Sequence, residues 1–139
     1  MAEKYQPNFI DLFAGGGGFT RGFINAGFSP VAAFDNDPRT VETLSGNFLD
    51  YGMHCELQDL ESFSIGEYRK IIRDRKIKAI DVLIGSPPCP GFSIVGRAKR
   101  KNLKSCLGRT QHKSNSETND LTKTFLNIVK LIRPQIFIF

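Results

Sequence analysis

Short apolar runs alternate along the chain with stretches that repeat apolar residues at helical spacing. This alternation predicts a parallel sheet whose strands are joined by right-handed helical crossovers, a doubly wound α/β fold. The predicted strands are 8–13, 30–35, 53–58, 78–85 and 135–139, and the predicted helices are 19–26, 38–48, 64–76 and 120–132.

Residues that cap or end helices set the expected boundaries. Gly27 should end the first helix, and Asp37 should cap the second, with Pro38 at its first position. Asn119 or Asp120 is the expected cap of the last helix. The stretch from about Arg97 to Thr118 shows no periodicity, and a loop of that length is often functional.

Length and composition indicate one globular domain. The chain has 139 residues, of which 40% are hydrophobic and 24% charged. No apolar stretch approaches the roughly 20 residues that cross a bilayer, and the N-terminus does not resemble a signal peptide. We therefore expect a cytoplasmic protein, associated with the nucleoid if its source is bacterial, with no membrane partner.

The net charge of +5 originates in one segment. Between Pro87 and Ser116 there is no acidic residue, and such a patch suits a polyanion such as nucleic acid. A solvated loop without a partner is the alternative. The basic residues of this segment are Arg97, Lys99, Arg100, Lys101, Lys104, Arg109 and Lys113.

Three cysteines stand far apart in the sequence, at Cys55, Cys89 and Cys106. They show neither zinc-ligand spacing nor a disulfide framework, so no metal is expected. Cys89 lies in "GSPPCPGFS", where the prolines exclude helix and strand and give the loop a stiff shape. Its thiol is a candidate nucleophile, and an inert buried cysteine is the alternative.

Four unusual features follow predicted strands and should share one sheet edge: the glycines 15–18, Asp35, Asp59 and the Cys89 loop. Parallel sheets bind ligands at the carboxyl ends of their strands. The glycines fit neither the dinucleotide fingerprint nor a P-loop, because the required glycine or Gly-Lys pair is absent. A ligand with a ribose and a zwitterionic tail, such as S-adenosyl-L-methionine, remains the best candidate.

The stretches "FIDLFAGGGGFTRGFINAGF", "AFDNDP", "DVLIGSPPCPGFS" and "LNIVKLIRPQIFIF" together resemble the amino-terminal part of the DNA cytosine-5 methyltransferases. The resemblance covers nearly the whole chain, so residues 1–139 are expected to form the amino-terminal portion of that catalytic domain. It implies a Rossmann-like sheet of the S-adenosylmethionine-dependent methyltransferase type, truncated after about the fifth strand, and a role in restriction–modification.

The resemblance also implies roles for individual residues. Cys89 matches the catalytic nucleophile. The positions that match DNA-binding residues are Ser93, Arg97, Lys99, Arg100 and Lys101. The positions that match the binding site for S-adenosyl-L-methionine are Phe13, Ala14, Gly15, Gly16, Gly18, Asp35, Asn36, Asp59, Leu60 and Pro88.

The implied reaction is methyl transfer from S-adenosyl-L-methionine to carbon 5 of a cytosine that is flipped out of duplex DNA and bonded to Cys89. Pro90 departs from the family, which commonly has a polar amide there. The family's Glu-Asn-Val motif and recognition domain do not follow Phe139. We therefore expect the isolated chain to be inactive until a complementary carboxy-terminal half, from the same gene or a second subunit, completes it.

Two other functions remain open from the sequence. One is a non-catalytic module that binds S-adenosylmethionine or nucleic acid, which would not need the thiol of Cys89. The other is a tRNA cytosine-5 methyltransferase, which would keep the chemistry and change the substrate.

Overall fold

Five parallel strands form one sheet in the order β3-β2-β1-β4-β5. They come from a computed structural model that describes residues 5–87 and 116–139, with residues 116–120 described by their backbone alone. The chain runs outward from β1 to β3 and then returns past β1 to β4 and β5. The strands are β1 Asn8–Leu12, β2 Ser29–Asp35, β3 His54–Leu57, β4 Val82–Gly85 and β5 Ile136–Ile138.

The helices lie between these strands as the sequence predicts. Asp37 caps the second helix by accepting a hydrogen bond from Arg39 N–H at 2.9 Å, and Gly27 follows the first helix with φ of 89°. None of the helices in the described ranges could span a bilayer. The helices are α1 Gly18–Asn25, α2 Pro38–Phe48, α3 Ile65–Asp74 and α4 Ser116–Ile132, with 3₁₀ turns at Leu49–Tyr51 and Leu60–Ser62.

Two predicted boundaries are wrong by four residues. The last helix begins at Ser116, so Asn119 and Asp120 lie within it and do not cap it. Polar residues that favour caps can equally continue a first helical turn, which periodicity of apolar residues does not detect. The fourth strand begins at Val82 and not at residue 78. Asp81, which precedes it, accepts hydrogen bonds at its carboxylate from the Tyr5 hydroxyl and Asn8 N–H, and its carbonyl accepts from Ile136 N–H at 2.9 Å.

The two faces of the sheet are covered by different helices. The α1 and α2 face buries side chains such as Phe9, Ala33 and Ile84. The α3 and α4 face buries the larger cluster that includes Leu12 and Phe125. Because the strand order reverses between β1 and β4, the carboxyl ends of these two strands flank the crevice where a doubly wound sheet binds its ligand.

Asp81 fixes the opposite, amino-terminal edge of the sheet. Its carboxylate accepts hydrogen bonds from the Tyr5 hydroxyl at 2.6 Å, Asn8 N–H at 2.8 Å and Gln135 Nε2 at 2.8 Å. These bonds join the N-terminal segment, β1, β4 and the approach to β5. Although Asp81 is buried, each carboxylate oxygen therefore has a partner.

Candidate functional site

The loop after β1 is shaped by left-handed backbone conformations. Phe13, Gly15 and Gly17 have φ values of 56°, 54° and 83°. Glycine adopts this region at little cost, whereas a residue such as Phe13 loses roughly 1–2 kcal/mol. The loop is held to the neighbouring strand because Ala14 N–H donates to the Phe34 carbonyl at 3.0 Å. The strained residue therefore lies at the expected ligand edge and not in a remote turn.

Asp35, at the end of β2, binds directly to this loop. Its Oδ2 accepts from Gly15 N–H at 2.9 Å, and its Oδ1 accepts from Asp37 N–H at 3.0 Å. The half-buried carboxylate is therefore held in one orientation by two backbone donors. The structure brings together two of the sequence-predicted site features, the glycines and the acidic residue twenty positions later.

The glycines of the loop serve different purposes. A Cβ on Gly17 would lie 2.3 Å from the ring of Phe48, so packing as well as backbone conformation requires glycine there. Gly16 and Gly18 have no positive φ, and a Cβ on either would meet no described atom within 4 Å. The space beside them is open, and a side chain would fill the room through which a ligand could approach the backbone.

Asp59 and Leu60, at the end of β3, have a structural role in the described residues. Asp59 Oδ1 accepts from Glu61 N–H at 3.0 Å and begins a 3₁₀ turn. The Asp59 side chain is exposed, as is Asn36 at the end of β2. Leu60 is only 5% exposed and packs in the core on the α3 and α4 face. Asp59 and Asn36 are therefore accessible at the carboxyl edge, whereas the side chain of Leu60 is not.

The strand that leads to the cysteine loop is tied to the glycine loop. Ser86 N–H donates to the Leu12 carbonyl at 3.3 Å, and the Ser86 hydroxyl donates to the Phe13 carbonyl at 3.3 Å. A Cβ on Gly85 would lie 2.3 Å from the ring of Phe125 in α4. The start of this loop is thus fixed from both sides. The predicted site residues Pro88, Cys89, Ser93, Arg97, Lys99, Arg100 and Lys101 lie outside the described residues.

Asp11 and Thr20 form a buried pair that the sequence reasoning missed. Both are 0% exposed, and Thr20 Oγ1 donates to Asp11 Oδ2 at 2.6 Å. The other oxygen, Oδ1, has no hydrogen-bond partner among the described residues. Burial raises the pKa of Asp11 to about 6, and the negative charge of Asp35 adds to the rise. The available signal was an acidic residue in the middle of the apolar run "FIDLF".

Cys55 contrasts with the candidate nucleophile. Cys55 is half-buried and packs against the core cluster that includes Leu44 and Phe48 of α2. Burial raises the pKa of its thiol. A thiol in such surroundings packs as a small apolar group and is a weak nucleophile. Within residues 5–87 and 116–139, no three His, Cys, Asp or Glu side chains are grouped so that they could hold a metal ion.

The model of the C-5 cytosine-specific DNA methylase family matches residues 7–139. The chain belongs to this family. It is 37% identical over 130 residues to the Type II methyltransferase M1.HphI of Haemophilus parahaemolyticus. The aligned region covers 94% of the chain and 31% of that relative. The Type II methyltransferase M.HgiGI of Herpetosiphon aurantiacus is 34% identical over 125 residues, 90% of the chain and 82% of that protein.

A solved structure supports the same fold. The chain superimposes with a TM-score of 0.69 and 26% identity on an Escherichia coli protein assigned as a DNA modification methyltransferase encoded within a prophage. The match covers 95% of this chain and 31% of that one. The predicted fold class, a Rossmann-like methyltransferase sheet, is therefore confirmed. The chain spans about a third of the length of M1.HphI and of this structural relative.

Enzymes of this methylase family use S-adenosyl-L-methionine as methyl donor. The site has groups that suit such a molecule. Asp35 is an oriented acceptor for hydroxyl donors, and the open space at Gly16 and Gly18 leaves the backbone accessible. The N-terminus of α1 follows directly and points its N–H groups at this space, which favours the anionic end of a zwitterion.

Proposed function

We propose that this chain forms the cofactor-binding and nucleophile-bearing part of a DNA cytosine-5 methyltransferase. The observation that carries the proposal is the carboxylate of Asp35, held by Gly15 and Asp37 beside the open glycine loop. It places an oriented acceptor at the edge where parallel sheets bind nucleoside-like ligands. Membership of the methylase family supplies the reaction class.

The cofactor residues have distinct roles in this proposal. Asp35 accepts hydrogen bonds from the ribose hydroxyls, and Phe13 lies against the adenine. Asp59 has one carboxylate oxygen engaged in the 3₁₀ turn and uses the other for the adenine amine. Asn36 covers the exposed face of the adenine. The remaining contacts come from Ala14, Gly15, Gly16, Gly18 and Pro88 and, because its side chain is buried, from the backbone of Leu60.

Cys89 makes the reaction possible because carbon 5 of cytosine is a poor nucleophile. The thiolate of Cys89 forms a bond to carbon 6, and the displaced ring electrons make carbon 5 electron-rich. Bound S-adenosyl-L-methionine would supply an electrophilic sulfonium methyl group, to which carbon 5 would form its new bond while the sulfonium became a neutral thioether. When a base removes the proton from carbon 5, the double bond re-forms and Cys89 departs as thiolate.

The basic segment after Cys89 serves the polyanionic substrate. Ser93, Arg97 and Lys99 to Lys101 would contact phosphates while the target base is rotated out of the duplex. Pro90 removes one backbone N–H next to the nucleophile, and the loop must orient the thiol without that donor. Because the basic side chains contact phosphates, affinity for duplex DNA should fall steeply as salt concentration rises.

A complementary carboxy-terminal region completes the enzyme in this proposal. The relatives M1.HphI and the prophage enzyme are about three times as long as the region they share with this chain. The extra length supplies what the reaction still requires, including a group that engages the ring nitrogen and one that reads the DNA sequence. The isolated chain should therefore bind cofactor without completing methyl transfer.

A trapped covalent adduct tests the proposal. Random-sequence duplexes that carry 5-fluorocytosine are incubated with labelled S-adenosyl-L-methionine and the chain, alone or with the carboxy-terminal region of M1.HphI as a separate polypeptide. Fluorine at carbon 5 cannot leave as a proton does, so the Cys89 bond persists and survives denaturing electrophoresis. We expect an adduct only when both polypeptides are present.

Two cysteine variants make the result specific. Cys89→Ser should abolish the adduct, and Cys106→Ser, in the same basic segment, should retain it. An adduct that survives Cys89→Ser, or none from a folded complex that binds cofactor, would overturn the proposal in favour of a non-catalytic module. An adduct with tRNA and not with duplex DNA would overturn the substrate assignment.

A further inference from the structure

Asp11 is a buried ionisable side chain that the proposed reaction does not use. It lies near the end of β1 and pairs in register with Ala33 of β2 and Ile84 of β4, so it belongs to the middle of the sheet. Its side chain is 0% exposed and contacts Thr20 of α1. Burial of an ionisable carboxyl group costs folding free energy, and groups perturbed in this way concentrate at functional sites.

The hydrogen bonds of Asp11 connect it to the N-terminus of α1. Thr20 Oγ1 donates to Oδ2 at 2.6 Å, and the backbone of Thr20 also hydrogen-bonds to the carboxylate. Thr20 is the third residue of the helix that begins at Gly18, directly after the glycine loop. Oδ1 makes no hydrogen bond to the residues that the structure describes. The carboxylate therefore lies beneath the edge at which we propose that the cofactor binds.

The charges around Asp11 come from the elements packed against it. Burial raises its pKa to about 6, and the negative charge of Asp35 on β2 adds to the rise. On α1, Arg21 places its guanidinium over the ring of Phe48, 4.7 Å from the centroid. The strand β4 contains no ionisable residue. The ionisable residues of α2 and its cap are Asp37 and Arg39, which pair with each other, and the exposed Glu42. Ionised Asp11 therefore adds a second negative charge to that of Asp35.

A second negative charge at this edge distinguishes ligands that differ in net charge. S-adenosyl-L-methionine has a sulfonium, an ammonium and a carboxylate group, and its net charge is positive. The thioether that remains after methyl transfer, S-adenosyl-L-homocysteine, keeps only the ammonium and the carboxylate and is neutral overall. Contacts to the adenine, the ribose and the amino acid are common to both compounds, so they do not separate donor from product as the charge of the sulfonium does.

We propose that ionised Asp11 makes the site prefer the methyl donor over its demethylated product. This inference rests on the proposed function, because it concerns which of two related nucleosides the same site holds. Asp11 is buried and acts through its charge without touching the ligand, so it is a specificity-determining residue and not a catalytic one. Such a preference favours exchange of the spent product for a new donor after each methyl transfer.

The preference should depend on pH. Because Asp11 loses its proton near pH 6, the preference should be present at pH 7 and should weaken as the pH falls below 6. Linkage requires the reciprocal effect: binding of the cationic donor lowers the pKa of Asp11 and releases protons near pH 6, and binding of the neutral product releases fewer.

The ratio of two dissociation constants tests this inference. S-adenosyl-L-methionine and S-adenosyl-L-homocysteine are each titrated by calorimetry into the chain between pH 5 and 7. Two buffers that differ in ionisation enthalpy are used at each pH, so that proton release is measured together with affinity. The dissociation constant of the product divided by that of the donor should rise roughly fivefold from pH 5 to 7.

Three variants make the result specific to Asp11. Asp11→Asn should make the ratio independent of pH, since its side chain stays neutral and can still accept from Thr20. Thr20→Val removes a hydrogen bond that lowers the pKa of Asp11, so the midpoint of the rise should move to higher pH. Asp50→Asn, at an exposed carboxylate after α2, should leave both the ratio and the midpoint unchanged. If Asp11 only supported the fold, its replacement would change both affinities alike and leave the ratio as it was.

Circular dichroism at each pH establishes that the chain and its variants are folded. A ratio that stays constant with pH, or that changes equally in Asp11→Asn, would overturn the inference and leave the proposed function intact. If Asp11→Asn does not fold, Thr20→Val decides, and a midpoint that does not move would overturn the inference. If the folded chain binds neither compound at any pH, the cofactor site of the proposed function is wrong, and this inference is overturned with it.

Discussion

Replacing Asp11 with Asn should stabilise the protein at neutral pH. The pKa of Asp11 is raised to about 6 in the folded protein, from 3.8 in the unfolded chain. Between these values the folded state binds more protons, so stability is highest at low pH and falls as pH rises towards 6. A shift of about 2 units corresponds to roughly 3 kcal/mol at pH 7 and above. Asp11→Asn removes this ionisation and can still accept the bond from Thr20.

Urea unfolding followed by far-ultraviolet circular dichroism between pH 4.5 and 8 measures this effect. The Asn variant should exceed the unmodified chain by about 1–3 kcal/mol at pH 7.5. The advantage should shrink by about 2 kcal/mol between pH 7.5 and 4.5, because Asp11 is protonated in the folded state at pH 4.5 while the unfolded chain is still partly ionised. The lower part of this range allows for the amide group that Asn places at Oδ1, an atom with no partner within residues 5–87 and 116–139.

Asp50→Asn is the matched control, because Asp50 is an exposed carboxylate in the 3₁₀ turn after α2. Its effect should stay within about 0.5 kcal/mol at every pH. The reasoning would be refuted if the Asp11 variant differed from the unmodified chain by a constant amount across the range. It would also be refuted if the variant were less stable at pH 7.5, since the bond between Thr20 and a carboxylate would then outweigh desolvation.

Two further substitutions test how the sheet edges are held. Gly85→Ala should destabilise the protein by about 1–3 kcal/mol in urea unfolding, because the added Cβ would overlap the ring of Phe125. Gly46→Ala is the control, and it should be neutral or stabilising because its Cβ would meet no described atom within 4 Å. Asp81→Ala should lower the free energy of unfolding by about 3 kcal/mol in the same assay, since it leaves Asn8 N–H without its acceptor. Tyr5→Phe removes one hydrogen bond and should lower it by about 1 kcal/mol. An Asp81→Ala variant as stable as Tyr5→Phe would contradict this account.

The spacing of apolar residues and the positions of residues that cap or end helices predicted most of the fold, because both depend on the local conformational preferences of the chain. The strand "PVAAFD" and the helix that Asp37 begins occur where the pattern places them. From the order of strands and helices, the sequence also predicted that the glycines and Asp35 would share an edge, and the hydrogen bond between Asp35 and Gly15 confirms that they meet.

Such patterns did not predict contacts between residues that are distant in sequence. The start of β4 was predicted four residues too early because the apolar run does not show that Asp81 binds Tyr5 and Gln135. The pairing of Asp11 with Thr20 was missed because it depends on how α1 lies against β1. Gly85 likewise reads as the end of a strand, and only the position of Phe125 shows why a side chain is excluded there.

Asp11 and Asp81 show how differently the two edges of one sheet treat the same residue type. Both are buried, and Asp81 has partners for both oxygens. Asp11 has one oxygen without a partner in the part of the chain that the structure describes, and it lies close to the charge of Asp35. The strained backbone of Phe13 lies at the same edge as Asp11. Unpaired buried groups and left-handed non-glycine residues persist where surrounding packing compensates for them, and they concentrate at functional sites. The cost in folding energy is therefore located beneath the glycine loop, at the edge that we propose binds the cofactor.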